Sequence, residues 1–131
     1  FRVSYTAFGL VPGNGGTYFL PRIVGEAKAL ELFYAAEPIS AEEALRIGMV
    51  NRIFDDPDFM GGCMAFAHDI AERAPLAMQL VKRAVRQSPA MDLHTHLDMV
   101  SSHMLITRPS EDHGEAIRAY EEGRKPVFKG K

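Results

Sequence analysis

The sequence predicts a mixed α/β front followed by a mostly α-helical back, so that the chain is mainly helical. Three observations carry this. Phe1-Arg2-Val3-Ser4-Tyr5 alternates apolar and polar side chains as a half-buried strand does, and Met49-Val50-Asn51-Arg52-Ile53-Phe54 also reads as a strand. From Asp58 onward the apolar residues recur at helical steps, as in Phe59, Cys63, Phe66, Ala67, Ile70 and Ala71. Between these regions Asp55-Asp56-Pro57 is the weakest point of the pattern and marks the boundary.

The elements follow in order. Gly13-Asn14-Gly15-Gly16 is a glycine-rich turn in which the backbone can take positive φ and approach a ligand closely. Thr17 is the expected start of a helix and Gly25 its stop. A second helix spans about Glu26 to Ala35 and is broken by Pro38. Ser40-Ala41-Glu42-Glu43 is a capping box: Ser40 caps the helix and Glu43 reaches back. That helix runs to about Ile47 and ends at Gly48. In the back part, Pro75 opens a helix carrying Leu76, Leu80 and Ala84. Ser88-Pro89 interrupts, and a further helix carries Leu93, Leu97, Val100 and Met104. Ser110 caps the last helix, with His113 at its third position, and the basic tail Arg124 to Lys131 is expected to be extended.

Bulk properties exclude several classes. The 131 residues are 47% hydrophobic and 24% charged, the balance of a soluble globular domain with a true core. A formal net charge of -2 gives no global basic field, so nucleic acid is not an expected partner. No apolar run approaches the ~20 residues of a membrane span, and no signal peptide is visible, so no membrane partner is expected. The single cysteine, Cys63, permits no intrachain disulfide and fits a cytoplasmic location. Residue 1 is Phe inside a strand-like pattern, from which we expect the chain to be the back part of something longer.

Taken alone, the block Pro12-Gly13-Asn14-Gly15-Gly16-Thr17 is weak. No Lys-Ser/Thr pair follows the glycines, so it is not a P-loop, and it fits the dinucleotide fingerprint poorly. The ordered set is specific. Gly9-Leu10-Val11-Pro12, Gly15-Gly16-Thr17, Leu20-Pro21-Arg22-Ile23-Val24-Gly25, Ala29-Leu30-Glu31-Leu32, Ile39-Ser40-Ala41-Glu42-Glu43-Ala44 and Gly48-Met49-Val50-Asn51 form one continuous series. Ala74-Pro75-Leu76-Ala77 with Lys82 follows, then Ser110-Glu111-Asp112-His113, Glu115, Ala119-Tyr120, Arg124-Lys125-Pro126 and Phe128. This series resembles the second half of the enoyl-CoA hydratase/isomerase (crotonase) family, over the whole chain.

The resemblance implies that residues 1–57 are the end of the family's spiral of ββα turns and residues 58–131 a helical domain used for trimerisation. It implies an acyl-CoA-processing lyase or isomerase, assembled as a homotrimer or hexamer, with a CoA thioester as substrate and no further cofactor. Most of the CoA pocket, and the backbone N–H pair of the oxyanion hole, would lie in a front half that is not in this sequence. Such a pair stabilises the enolate that develops, worth about 10²–10³ in rate per donor.

The sequence departs from the family at its acids. Hydratases of the family place a Glu four residues before the Gly of the Gly-Leu-x-Pro block; that position is Tyr5, and the Pro before it is Ser4. Several isomerases place an Asp or Glu directly after the block's Pro; here Gly13 and then Asn14 follow Pro12. A phenol with an ordinary pKa near ~10 is a poor base but a usable proton donor or orienting group. Three readings stay open: chemistry resting on the other half, another oxyanion-hole reaction such as decarboxylation or thioester hydrolysis, or a non-catalytic acyl-CoA binder.

The candidate catalytic positions are therefore Tyr5, Gly13 and Asn14, each weighed against a packing or turn role. Pro12, Gly15 and Gly16 are expected to line the substrate site. In the family a closing aromatic and a Lys three residues later reach CoA. The aromatic maps to Tyr120 and the Lys to Gly123, with Arg124, Lys125 and Lys129 as possible substitutes. No metal site is expected. His94, His96 and His103 lack ligand spacing despite Asp92 and Asp98 nearby, and His68 and His113 stand alone.

Overall fold

The structure is a computed structural model that describes residues 1–131. The chain divides into two compact units, Phe1–Phe59 and Met60–Lys131. Seven α-helices and three short 3-10 turns make up its regular structure.

The first unit holds α1 (Gly16–Val24), α2 (Glu26–Ala35) and α3 (Ala41–Arg46). α1 and α2 pack together, and the unit's core is Ala29, Leu32, Phe33, Ala36 and Ala44. The expected helix ends are local and are where the sequence puts them. Gly25, at φ 83°, ends α1 and begins α2. Gly48, at φ 74°, follows α3. α1 begins one residue before Thr17, at Gly16, because Gly15 adopts the left-handed conformation (φ 76°) and its carbonyl accepts from the amides of Tyr18 and Phe19. The capping box forms by half. Ser40 Oγ accepts from the Glu43 amide at 3.1 Å, but the Glu43 carboxylate does not reach back. It accepts from Nε and Nη2 of Arg46 at 2.6 Å each and meets Lys28 Nζ at 3.3 Å, and these cations hold it down to a pKa of about 2.

The α/β character expected of the front is not what forms. Neither Phe1–Tyr5 nor Met49–Phe54 is a strand, and the chain contains none. A strand satisfies its backbone only by pairing with another segment, and no second segment of this chain runs beside either stretch as a ladder. Phe1 and Ile39 exchange one reciprocal pair of backbone hydrogen bonds, at 2.8 Å each, and the pairing stops there. Side-chain-to-backbone bonds then tie this segment to the end of α2: Arg2 Nε donates to the Ala36 carbonyl at 2.7 Å, and Thr6 Oγ1 donates to the Phe33 carbonyl. Tyr5 sits in helical geometry (φ -56°, ψ -45°) at the head of the 3-10 turn Thr6–Phe8.

The second unit holds the four helices the periodicity demands: α4 (its first residue Phe59, to Ala71), α5 (Pro75–Gln87), α6 (Leu93–Thr107) and α7 (Glu111–Glu121). Pro75 stands at the start of α5, where its missing N–H costs nothing. α5 packs on α6. Asp92 caps α6, accepting from the Thr95 amide at 3.0 Å and from its hydroxyl at 2.6 Å. Ser110 caps α7, accepting from the His113 amide at 3.1 Å.

The tail beyond α7 is irregular and tied down. Asp112, only 3% exposed, accepts from the Lys129 amide at 2.7 Å and the Gly130 amide at 2.8 Å, while its own amide donates to the Lys131 carbonyl. Few apolar side chains are fully buried. Met60, Met64, Leu93, Met104 and Leu105 are each about half exposed or more. No helix is long and apolar enough to cross a membrane.

Candidate functional site

The glycine-rich turn, the N-terminal segment and α1 together line a cavity of about 340 Å³ in the first unit. Its walls are mainly apolar: Val3, Pro12, Phe19, Leu20, Ile23 and Phe33. Its polar groups are Arg2, Tyr5 and Asn14. Arg2 Nε is engaged with the Ala36 carbonyl, and Tyr5 and Asn14 are the neutral polar side chains of the wall.

The turn explains why the sequence is glycine-rich here, and the glycines differ. A Cβ on Gly15 would stand 3.0 and 3.1 Å from ring carbons of Phe19, on a backbone already at φ 76°. A Cβ on Gly16 would stand 3.1 Å from the Pro12 side chain and 3.9 Å from Phe33. These two residues let the turn close against the buried Pro12 and the cavity wall. Gly13 is different: its φ is ordinary, and a Cβ there would meet nothing within 4 Å. Downstream, the Arg22 guanidinium lies 3.7 Å over the Tyr18 ring and donates to the Tyr18 carbonyl at 2.7 Å. That contact braces α1 from outside.

The structure brings two candidate catalytic residues into contact. Asn14 Nδ2 donates to Tyr5 Oη at 3.3 Å. The sequence pattern places Tyr5 on a strand and Asn14 in a loop. Tyr5 is not extended but heads the 3-10 turn, and both residues line the cavity. Pro12 and Gly16 line the same cavity. Gly13 is not among the lining residues.

The other expected substrate contacts belong to the second unit. Tyr120 is 87% exposed on α7. Arg124 is engaged: its Nη1 and Nη2 donate to the two oxygens of Glu115 at 2.5 and 3.1 Å, and its Nε donates to Glu122 at 2.5 Å. These carboxylates push the Arg124 pKa up, and Arg124, with the Val127 amide, holds Glu115 down to about 2. As a substitute phosphate ligand Arg124 is thus compromised by its own chain. Lys125, whose nearest acid, Glu72, is 3.9 Å away, and the exposed Lys129 are freer. No group of three or more His, Cys, Asp and Glu side chains gathers as a metal site. Asp92, near the histidines in sequence, is occupied as a helix cap.

Arg2 and the wall residues Val3, Phe19 and Phe33 were not singled out on sequence. Only the helical spacing of Phe19 and Ile23 along α1, one turn apart, hinted at a shared face.

The family described as Enoyl-CoA hydratase/isomerase matches residues 1–131. A short-chain-enoyl-CoA hydratase of Clostridium acetobutylicum is 37% identical over 125 residues, 95% of this chain and 48% of that protein. The 1,2-epoxyphenylacetyl-CoA isomerase of Escherichia coli is 30% identical over 131 residues, all of this chain and 50% of that protein. Among solved structures, an enoyl-CoA hydratase from Bacillus anthracis superposes with a TM-score of 0.94 at 33% identity, covering 99% of this chain and 50% of that one. The chain belongs to the enoyl-CoA hydratase/isomerase family. It spans about half the length of the curated relatives it matches.

Proposed function

We propose that the cavity beside Tyr5 and Asn14 receives the acyl group of a CoA thioester, and that the protein is an acyl-CoA-processing lyase or isomerase of the hydratase/isomerase kind. The observation that carries this is the cavity itself. It is apolar-walled and sized for a short acyl group, and it has a polar pair at one side, on the residues that occupy the family's two acid regions. An oxyanion hole supplied by the other half of the family fold would polarise the thioester carbonyl. No cofactor is needed beyond the CoA ester. Residues 1–57 act as the end of the catalytic spiral and residues 58–131 as the assembly domain of a cytoplasmic homotrimer or hexamer. Lys125 and Tyr120, both exposed, are the candidate contacts for the CoA moiety.

One observation favours a second reading. Neither acid position holds a carboxylate, so the cavity lacks the tuned base that hydration requires. A decarboxylase, a thioesterase or an acyl-CoA binder needs only the oxyanion hole or the pocket. The test is substitution in the full-length protein. Tyr5→Glu should gain crotonyl-CoA hydration, and Gly13→Asp enoyl isomerisation, since a correctly placed base typically gives about 10²–10⁴-fold. Gly13 has room for the new side chain. If neither variant gains activity while CoA-ester binding persists, the decarboxylase, thioesterase or binder reading replaces the hydratase/isomerase one.

A further inference from the structure

We infer that Asn14 and Gly15 form a self-modifying site: the Gly15 nitrogen attacks the Asn14 carboxamide, and the cavity wall acquires a carboxylate it otherwise lacks. This goes beyond the proposed acyl-CoA reaction and holds whether or not the cavity takes such an ester. Asparagine is thermolabile, and its loss is fast where the next backbone nitrogen can reach its Cγ. The sequence has two asparagines: Asn14 is followed by Gly15 and Asn51 by Arg52. Both are exposed, so solvent access does not separate them. A following side chain crowds the approach of the nitrogen, and glycine has none.

The turn keeps that arrangement in place. A Cβ on Gly15 would meet Phe19 ring carbons at 3.0 and 3.1 Å on a backbone at φ 76°, so the turn is built for glycine beside Asn14. The Gly15 carbonyl accepts from the amides of Tyr18 and Phe19, but its own amide donates to no group of the chain. The nucleophile thus has no hydrogen bond to give up. The Asn14 side chain is held by one exposed contact, 3.3 Å from Tyr5 Oη, long for a hydrogen bond whichever way the amide is turned. In the reaction the Gly15 nitrogen loses its proton to water and bonds to Cγ. The Cγ–Nδ2 bond breaks, and ammonia leaves with a proton from solvent. Water then opens the cyclic imide at either carbonyl, leaving aspartate or isoaspartate at position 14. The consequence is electrostatic. Arg2 is the one charged residue on the cavity wall, so exchanging a neutral amide for an anion cancels the wall's charge.

The experiment ages the folded full-length protein at mildly alkaline pH and maps it with trypsin beside an unaged sample digested alike. Cleavage after Arg2 and Arg22 releases Val3–Arg22, in which Asn14 is the sole side-chain amide. Cleavage after Arg46 and Arg52 releases Ile47–Arg52, which carries Asn51 as an internal control. Val3–Arg22 should gain about one dalton at least about tenfold faster than Ile47–Arg52, with fragment ions placing the gain at residue 14. The gain should slow at mildly acidic pH, where the Gly15 amide is harder to deprotonate. Asn14→Gln, whose longer side chain closes the ring poorly, should keep its mass in the same peptide over the same time. Equal rates in the two peptides overturn the inference, as does a gain at Val3–Arg22 that appears only after denaturation. A gain in Asn14→Gln matching the wild type's also overturns it. None of these outcomes touches the acyl-CoA proposal, which is tested by ester binding and turnover.

Discussion

At the residue scale the glycines of the turn separate into those the backbone requires and one it does not. Gly15 is held at φ 76° with Phe19 ring carbons 3.0 Å from where a Cβ would lie. Gly15→Ala combines left-handed strain with a clash and should destabilise by about 1–2 kcal/mol. Gly13→Ala meets nothing and should change stability by less than about 0.5 kcal/mol. Chemical denaturation of the two variants checks the contrast, and equal losses would show that the turn is not built as described. The difference bears on function. Gly13 is the position where a carboxylate can be introduced without disturbing the turn that carries Asn14. On sequence both glycines looked alike, because φ at a given glycine is set by where the turn must deliver the chain. The Tyr5–Asn14 bond was hidden for a related reason: its partners stand nine positions apart, with the 3-10 turn at Thr6–Phe8 between them.

At the element scale the helices were legible and the tail was not. Helix ends at Gly25, Gly48, Pro75 and Ser110 follow from signals within a few residues, since capping is a local hydrogen-bonding problem. The tail is ordered by α7 instead. Asp112 takes two tail amides, and Glu115 takes Arg124 and the Val127 amide. The Glu115 carboxylate is depressed from 4.5 to about 2, chiefly by the Arg124 hydrogen bonds. A depressed acid favours the docked state while ionised. Its contribution is therefore complete above about 4.5 and lost as pH falls toward about 2. The protection of the Val127 amide, taken relative to its intrinsic exchange rate at each pH, should fall across that window in the wild type, and Arg124→Ala should move the onset to higher pH. Asp112→Ala leaves the Lys129 and Gly130 amides without their acceptor. It should cost about 1–3 kcal/mol and open the tail to trypsin at Arg124 and Lys129. An unchanged digestion pattern would mean that these bonds do not hold the tail.

At the scale of the whole molecule the apolar balance points outward. The buried apolar residues are mostly alanines, whereas Met60 is 64% exposed, Leu93 68% and Leu105 72%. That much apolar surface on helices is what association covers. The full-length protein should sediment as a trimer or hexamer at micromolar concentration, and Leu105→Glu should lower its assembly state. A stable wild-type monomer would count against an assembly role for the second unit. The sequence by itself determined the family, the helices and their caps, because each is written in short-range pattern or in residue identity at a fixed position. Tertiary structure decided the rest. The two expected strands do not form, since a strand exists only through a partner segment. Arg124 is taken up by Glu115 and Glu122, and Tyr5 and Asn14 meet beside one cavity. Each of these depends on which distant groups the folded backbone places within hydrogen-bond reach, and periodicity along the chain carries no record of that distance.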